Sequence, residues 1–255
     1  FLSLPLMKLF NEEELNAVIG HELGHFKAKD TNYTIKFAPV YSNIGKSIDN
    51  LANTSSGATA LAKLPAILVL SAMYEAFSTN IASISRDREF EADKVGCEAS
   101  SKEGLVYSLA KVVTYSQLWH ETLFENVNRL NKGRISKNLS NIFSESSIYN
   151  IGKRDINEII EEVLPSIVQH PTDSHPPLAD RYKNINFDVN KITKEKIITR
   201  GDSVSNLINE VDKIEEELTH EEHQYQIAIG LAIVPEKAQH DDLADAIYLL
   251  AAAMI

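Results

Sequence analysis

One cysteine stands in 255 residues, Cys97. A lone thiol excludes an internal disulfide and any multi-cysteine zinc site. A basic block is missing too: Lys plus Arg number 25 against 36 Asp plus Glu, a net charge of −11. Nucleic acid is therefore not an expected partner, because nothing in the chain answers a phosphate backbone. No GxSxG elbow, Walker loop or glycine-rich nucleotide fingerprint occurs, so the serine-hydrolase and nucleotide-binding classes lose their usual signatures. Long apolar runs are scarce. The longest, LPAILVLSAMY at 64–74, ends at Glu75 and falls short of the roughly 20 residues a bilayer span needs. It reads first as a buried core helix and second as a membrane-contacting one. The run AIYLLAAAMI, 246–255, reads first as a packing helix and second as a truncated longer segment. The opening FLSLPLMKLF lacks the basic region and cleavage site of a signal peptide. The chain reads as a piece of a longer protein.

What is present is an ordinary globular balance, 44% apolar and 24% charged, with length for one large domain or a domain plus an extension. Asn11 followed by Glu14 is a capping-box pattern. Leu15, Val18, Ile19, Leu23 and Phe26 follow at helical spacing, which predicts a helix over about 12–29. Further helical patterns cover about 32–51, 58–98 with a break near Pro65, 103–131, 155–169 and 204–218. The apolar stripe of 103–131 is Leu105, Leu109, Val112, Val113 and Leu118. NTSSG (53–57) and QHPTDSHPP (169–177) read as loops. FDVNKITKEKIITRGDSV, from Phe187, is expected to include a strand. Alternation is otherwise rare, so a large sheet is not expected, and a small one near the N-terminus would be cut by the fragment boundary.

HELGH, residues 21–25, lies on the first of these helices. Positions i and i+4 share a helix face, so His21 and His25 can aim both imidazoles at one ion. Zinc takes nitrogen ligands readily and favours a tetrahedron. Glu22 is turned partly off that face and can act as a general base toward water without binding the metal. Gly24 leaves room for a close neighbour, and Leu23 is expected to point away, toward the core. The competing reading is two surface histidines and a helix-stabilising acid.

A catalytic zinc has three protein ligands and one open position. Metzincin spacing would need Gly and His where Ala28 and Thr31 stand. A thermolysin-like acid is missing from SNIGK, 42–46. SRDREFEAD, 85–93, offers Glu89 and Asp93 at i and i+4. One carboxylate can ligate zinc and the other can accept a ring N–H from a ligand histidine. Ala92 is small enough to let two helices approach. A solvated salt-bridge face is the alternative.

HELGH followed by EFEAD resembles the M48 family of zinc metallopeptidases, which includes the HtpX-like heat-shock membrane proteases and the CAAX-prenyl proteases. NEEELNAVIGHELGHFKAKD, with its downstream Asp30, is similar to the family's approach to the active helix. SHPPLADRY, 174–182, is similar to its HPP-x-x-x-R element. The resemblance implies His21, His25 and Glu89 as ligands of one Zn2+ per chain. It implies Glu22 as the catalytic glutamate, Asp93 as the supporting acid, and His175 as a donor to the oxyanion of peptide hydrolysis. Arg181 would hold that loop or add positive charge. Tyr182 and His170 are set aside.

The implied fold is mainly α: a zincin-like metallopeptidase helical domain with at most a small β element. It covers residues 1–187 as an N-terminally truncated domain, where the strand expected ahead of the active helix has room only at 1–4. A mostly helical extension, 188–255, matches nothing named. The implied task is zinc-dependent endopeptidase action in membrane-associated protein quality control, on unfolded or membrane-associated polypeptides. Membrane attachment would come through segments outside this stretch, at a bacterial inner membrane with the site on the cytoplasmic side. Prenyl-protein substrates fit less well, because no greasy interior is visible. The alternative is a zinc-holding, chaperone-like or scaffold protein with incidental or blocked proteolysis. The intact Glu22 argues against it. Structural zinc would need a fourth protein ligand, and none is evident. HEEH, 220–223, reads as a solvated helix face. His120 and His240 carry no argument, and Cys97 reads as a small packing residue.

Overall fold

Asn11 and Glu14 cap each other reciprocally. The Asn11 N–H donates to Glu14 Oε2 at 3.0 Å and the Glu14 N–H to Asn11 Oδ1 at 2.9 Å, which satisfies two orphan donors and starts the helix. The computed structural model describes residues 3–27, 30–53, 58–164, 175–198, 203–235 and 239–240. Most of the 53–57 loop, the 169–174 part of the proline-rich loop with His170, and the 246–255 run lie outside the described residues, as does the side chain of Asp30.

The helices are α1 (Leu4–Met7), α2 (Glu12–Lys27), α3 (Asp30–Asn53), α4 (Ala58–Ala99), α5 (Lys102–Asn131), α6 (Leu139–Lys153), α7 (Ile156–Val163), α8 (Leu178–Asn184), α9 (Lys194–Ile198) and α10 (Val211–Ala228). The described β structure is one parallel pairing of two-residue strands, β1 (Arg134–Ile135) with β2 (Gln239–His240). The fold is thus mainly α with a minimal β element. Three local expectations change. Of the strand expected at 1–4, residues 1 and 2 lie outside the described residues, and Leu4 already begins a helix. The segment after Phe187 makes a 3-10 turn at Val189–Lys191 and then α9, where a strand was expected. Asp188 and its side-chain bond to the Asn190 N–H favour that turn. Pro65 sits inside α4 without ending it. An interior proline, through its missing hydrogen bond and its ring clash with the preceding turn, costs about 3 kcal/mol, which the 42 residues of α4 can absorb while packing along α3.

The chain forms two compact units. The first comprises Phe1–Val18, Ser100–Ser166 and Asp188–Ile255. Met7, Phe10, Leu15 and Val204 make one of its core clusters, with Leu4, Leu6, Val18, Val112 and Ile208 against it. Beneath that cluster Lys111 reaches Glu14 Oε2 and the Leu9 carbonyl, each at 2.8 Å, with both charged side chains buried. Gly104 permits close approach here, since a Cβ would lie 2.8 Å from the Glu13 carbonyl oxygen. α10 is tied in by buried polar contacts. Thr219 accepts the Leu139 N–H at 3.0 Å, and Asn126 bonds both Gln226 (2.9 Å) and His223 (3.2 Å). HEEH is therefore not a uniformly solvated face: His220 is exposed but His223 is buried. Val113, expected in the apolar stripe of α5, is exposed.

The second unit comprises Ile19–Ala99 and Ile167–Phe187. In it α3 packs against α4, and α8 lies against α4. The expectation of a buried core helix at 64–74 is overturned. Leu68 is 67% exposed and Val69 60%, with Leu64 and Met73 exposed beside them. The stretch Ala62–Ala99 is long and apolar enough to cross a membrane by length and composition.

Candidate metal centre

Small residues decide how α2 meets α4. A Cβ on Gly24 would lie 2.8 Å from Ala92 Cα, and one on Gly20 2.5 Å from Ala99 Cβ. The two backbones can approach only because those side chains are absent. This also corrects the placement of Leu23. The buried face of this part of α2 is the glycine–histidine face, so Leu23 (58% exposed) and Phe26 (71%) point outward, with Ile19 beside them.

The approach brings three donor groups together. His21 Nε2 and His25 Nε2 are 3.3 Å apart, with the rings nearly perpendicular at 87°. Glu89 Oε2 is 3.6 Å from His21 Nε2, and Glu89 Oε1 is 3.7 Å from His25 Nε2. A tetrahedral ion with bonds of about 2.0–2.2 Å separates its ligand atoms by roughly 3.3–3.6 Å. The donor set fits a divalent ion such as zinc in chemistry and in spacing. Among the described residues no other group of three His, Cys, Asp or Glu converges in this way.

Asp93 and Arg181 stand behind the histidine. Asp93 Oδ1 lies 3.0 Å from His21 Nδ1, which places the ring proton on Nδ1 and the lone pair on Nε2. Arg181 donates to both Asp93 oxygens, Nε to Oδ2 at 2.8 Å and Nη2 to Oδ1 at 2.5 Å. Its Nη2 is also 3.4 Å from His21 Nδ1. With the proton on Nδ1 that contact joins two donors, so Arg181 bonds the carboxylate and not the ring. Arg181 Nη1 reaches Glu89 Oε2 at 3.4 Å. Burial by itself would push the Asp93 carboxyl up. The hydrogen bonds and charges of Arg181 and His21 outweigh it and hold the group below its ordinary value.

His175 Nδ1 lies 3.1 Å from Glu89 Oε1, with its side chain largely exposed. Glu22 is exposed on α2 next to His21. All seven residues singled out in the sequence thus belong to the second unit. Two features went unread there. One is Gly20, whose signal is the small-residue spacing Gly20–Gly24 against Ala92–Gly96. The other is the bidentate grip of Arg181 on Asp93, which has no signal in sequence distance. Asn184 adds a contact from α8 to the Phe90 carbonyl at 3.4 Å.

Comparison with known proteins gives a consistent set of relatives. The model of Peptidase family M48 matches residues 1–187. A protease HtpX homolog of Archaeoglobus fulgidus is 28% identical over 186 residues, covering 72% of this chain and 54% of the relative. One from Pyrobaculum aerophilum is 29% identical over 193 residues, covering 70% and 52%. One from Methylibium petroleiphilum is 32% identical over 120 residues, covering 44% and 41%. The chain spans about half the length of the curated relatives it matches first. No solved structure matches the chain at a significant level.

Proposed function

The chain belongs to peptidase family M48, and from that premise we propose that it is a zinc-dependent endopeptidase acting on unfolded or membrane-associated polypeptides. The observation that carries the reading is the spacing of His21 Nε2, His25 Nε2 and the two Glu89 carboxylate oxygens, 3.3 Å between the nitrogens, 3.6 Å from His21 to Oε2 and 3.7 Å from His25 to Oε1. Those three residues would hold the ion. When bound, zinc supplies Lewis-acid polarisation of a water and of the scissile carbonyl.

The remaining work falls to the chain. Glu22 takes a proton from the attacking water as the new C–O bond forms, and returns it to the amine nitrogen as the C–N bond breaks. Its exposure leaves it open to a substrate. His175 donates a hydrogen bond to the substrate oxyanion, which requires its ring to turn from Glu89. Asp93 keeps the His21 proton on Nδ1, and Arg181 holds Asp93 and Glu89 in register.

Membrane association is supported by the exposed apolar side chains of α4, Leu64, Leu68, Val69 and Met73, together with Val40 of α3. A segment of that character favours a bilayer surface over water. The 1–187 region is the peptidase part on this reading, and 188–255 is an extension to it.

The test is cleavage of an unfolded model polypeptide by the zinc-loaded chain beside Glu22→Gln at equal zinc content. Cleavage by the parent and none by the variant supports hydrolysis with Glu22 as the base. If both cut equally, Glu22 is not the base. If neither cuts while both hold zinc, a zinc-holding, chaperone-like role replaces the peptidase reading for this chain.

A further inference from the structure

Glu22 stands at an edge of α2. With 3.6 residues per turn, each residue is turned about 100° from the last. Gly20 and Gly24 fall on the side packed against Ala99 and Ala92. His21 and His25 follow round the helix, then Glu22, then Phe26 and Ile19, and last Leu23. Phe26 lies about 40° round from Glu22 and Ile19 about 60°. One is four residues after Glu22 and the other three before it, so both are its surface neighbours.

These neighbours are apolar and open. Phe26 and Leu23 are largely exposed, and Ile19 is exposed beside them. A single exposed leucine needs no explanation. Three such side chains in one stripe, continuous with Glu22 and the two histidines on the same helix, do. A polypeptide placed for hydrolysis brings its scissile carbonyl to the ion and the attacking water within reach of Glu22. Phe26 is roughly 6 Å from Glu22 along the helix axis. An extended chain advances about 3.3 Å per residue, so a side chain one or two residues from the scissile bond is within reach of Phe26. Other occupants fit less well. Three side chains fall far short of the roughly 800 Å² that each partner gives a stable dimer. A lipid layer taking up the stripe would have to bury the Glu22 carboxylate at its edge.

We propose that Phe26, with Ile19 and Leu23 beside it, is the specificity surface of the candidate centre, and that it takes a large apolar side chain next to the scissile bond. The inference rests on the peptidase reading above and deepens it, because it names what selects the substrate. An apolar side chain laid on Phe26 removes apolar area from water on both partners. A polar side chain at the same place gains nothing from the contact and loses hydration.

The test uses two internally quenched peptides that differ only at their two central residues, Leu-Phe in one and Ser-Gln in the other. With the zinc-loaded full chain, kcat/KM is expected to favour the Leu-Phe peptide by about tenfold or more. Phe26→Ser should bring that ratio to about one, and Phe26→Leu should keep most of it. Zinc affinity should be the same in all three, which separates contact with substrate from damage to the donor set. Binding of the same peptides to zinc-loaded Glu22→Gln, read by fluorescence anisotropy, tells the two readings apart. Apolar preference in binding with no cleavage by the parent would overturn the peptidase reading and keep the apolar surface. Cleavage of both peptides at equal rates, or a preference untouched by Phe26→Ser, would overturn the surface and keep the peptidase. No cleavage and no binding would overturn both. Vesicle flotation or self-association that is lost in Phe26→Ser while the peptide preference stays would assign the stripe to lipid or to a second copy instead.

Discussion

Asp93 Oδ1 is 3.0 Å from His21 Nδ1, and Arg181 holds the same carboxylate through two hydrogen bonds. A carboxylate placed there orients the imidazole and raises its basicity at the opposite nitrogen. It is itself prevented from turning by Arg181. Asp93→Asn keeps the size and the three proposed ligands but loses the charge that binds Arg181. Zinc affinity, read by competition with a coloured chelator, is expected to fall by about 10–100-fold. Arg181→Lys removes the bidentate geometry while keeping the charge, and should fall between the two. Unchanged affinity in Asp93→Asn would show that the ring is held by other means.

Two glycines give opposite expectations for one substitution. Alanine is intrinsically better than glycine inside a helix by about 1 kcal/mol. At Gly152 of α6 a Cβ meets nothing within 4 Å, so Gly152→Ala should stabilise the chain by about 0.5–1 kcal/mol. At Gly24 a Cβ meets the Ala92 backbone at 2.8 Å, and overpacking costs roughly 1–3 kcal/mol. The steric effect outweighs the propensity. Gly24→Ala should lower stability, and it should also weaken zinc binding, because α2 must move from α4 and carry the histidines away from Glu89. Denaturant midpoints and zinc affinities check both. A Gly24→Ala protein as stable and as zinc-avid as the parent would refute the close approach.

The local part of this architecture is readable in the residues. Asn11 and Glu14 announce the start of α2 because capping uses side chains three apart. The i, i+4 pairs at His21/His25 and Glu89/Asp93 follow from helical periodicity alone. What sequence distance hides is which faces are buried. Leu23 and Phe26 fit the apolar period of α2, yet Gly20 and Gly24 win the buried face, since closeness of backbones favours small side chains. The run 64–74 looked like core because apolar composition is common to buried helices and to exposed apolar ones, and only its neighbours distinguish them. Arg181 lies 88 residues from Asp93, so their pairing depends on the whole path of the chain between them.

Exposed leucine and valine on α4 lead to a measurement with lipid. Leu68→Glu places a charge in the middle of the apolar face, at a position that is largely solvent-exposed in the fold. Folding should be little affected, since surface substitutions usually stay within about 0.5 kcal/mol. Flotation with neutral phosphatidylcholine vesicles should carry the parent chain upward and leave much of Leu68→Glu at the bottom. Equal flotation of the two, or none of the parent, would remove this face from the argument for membrane association.

The buried pair Glu14–Lys111 sets a pH dependence separate from the candidate metal centre. Burial pushes the Glu14 carboxyl above its ordinary value, although Lys111 and the Asn11 N–H pull it down. Burial pushes Lys111 below its ordinary value against the pull of Glu14. Folded Glu14 binds its proton more tightly than the unfolded chain does. Its contribution is therefore most favourable below the unfolded value of about 4.3 and is lost as pH rises through the folded one. Folded Lys111 binds its proton less tightly, so its contribution improves as pH rises from the lowered folded value toward about 10.4. Both contributions are at their poorest between the raised Glu14 value and the lowered Lys111 value. Lys111→Met leaves a buried carboxylate alone and should cost about 3–5 kcal/mol near neutral pH. Glu14→Gln with Lys111→Met removes both charges, keeps an amide acceptor for the Asn11 N–H, and should cost far less than the two single changes together. Relative to the parent, the double variant should look best near pH 7 and lose that advantage toward pH 4 and toward pH 10. Urea midpoints of the four proteins at those pH values decide it: additive losses, or a parent–variant difference that does not change with pH, would mean that the pair does not titrate with folding.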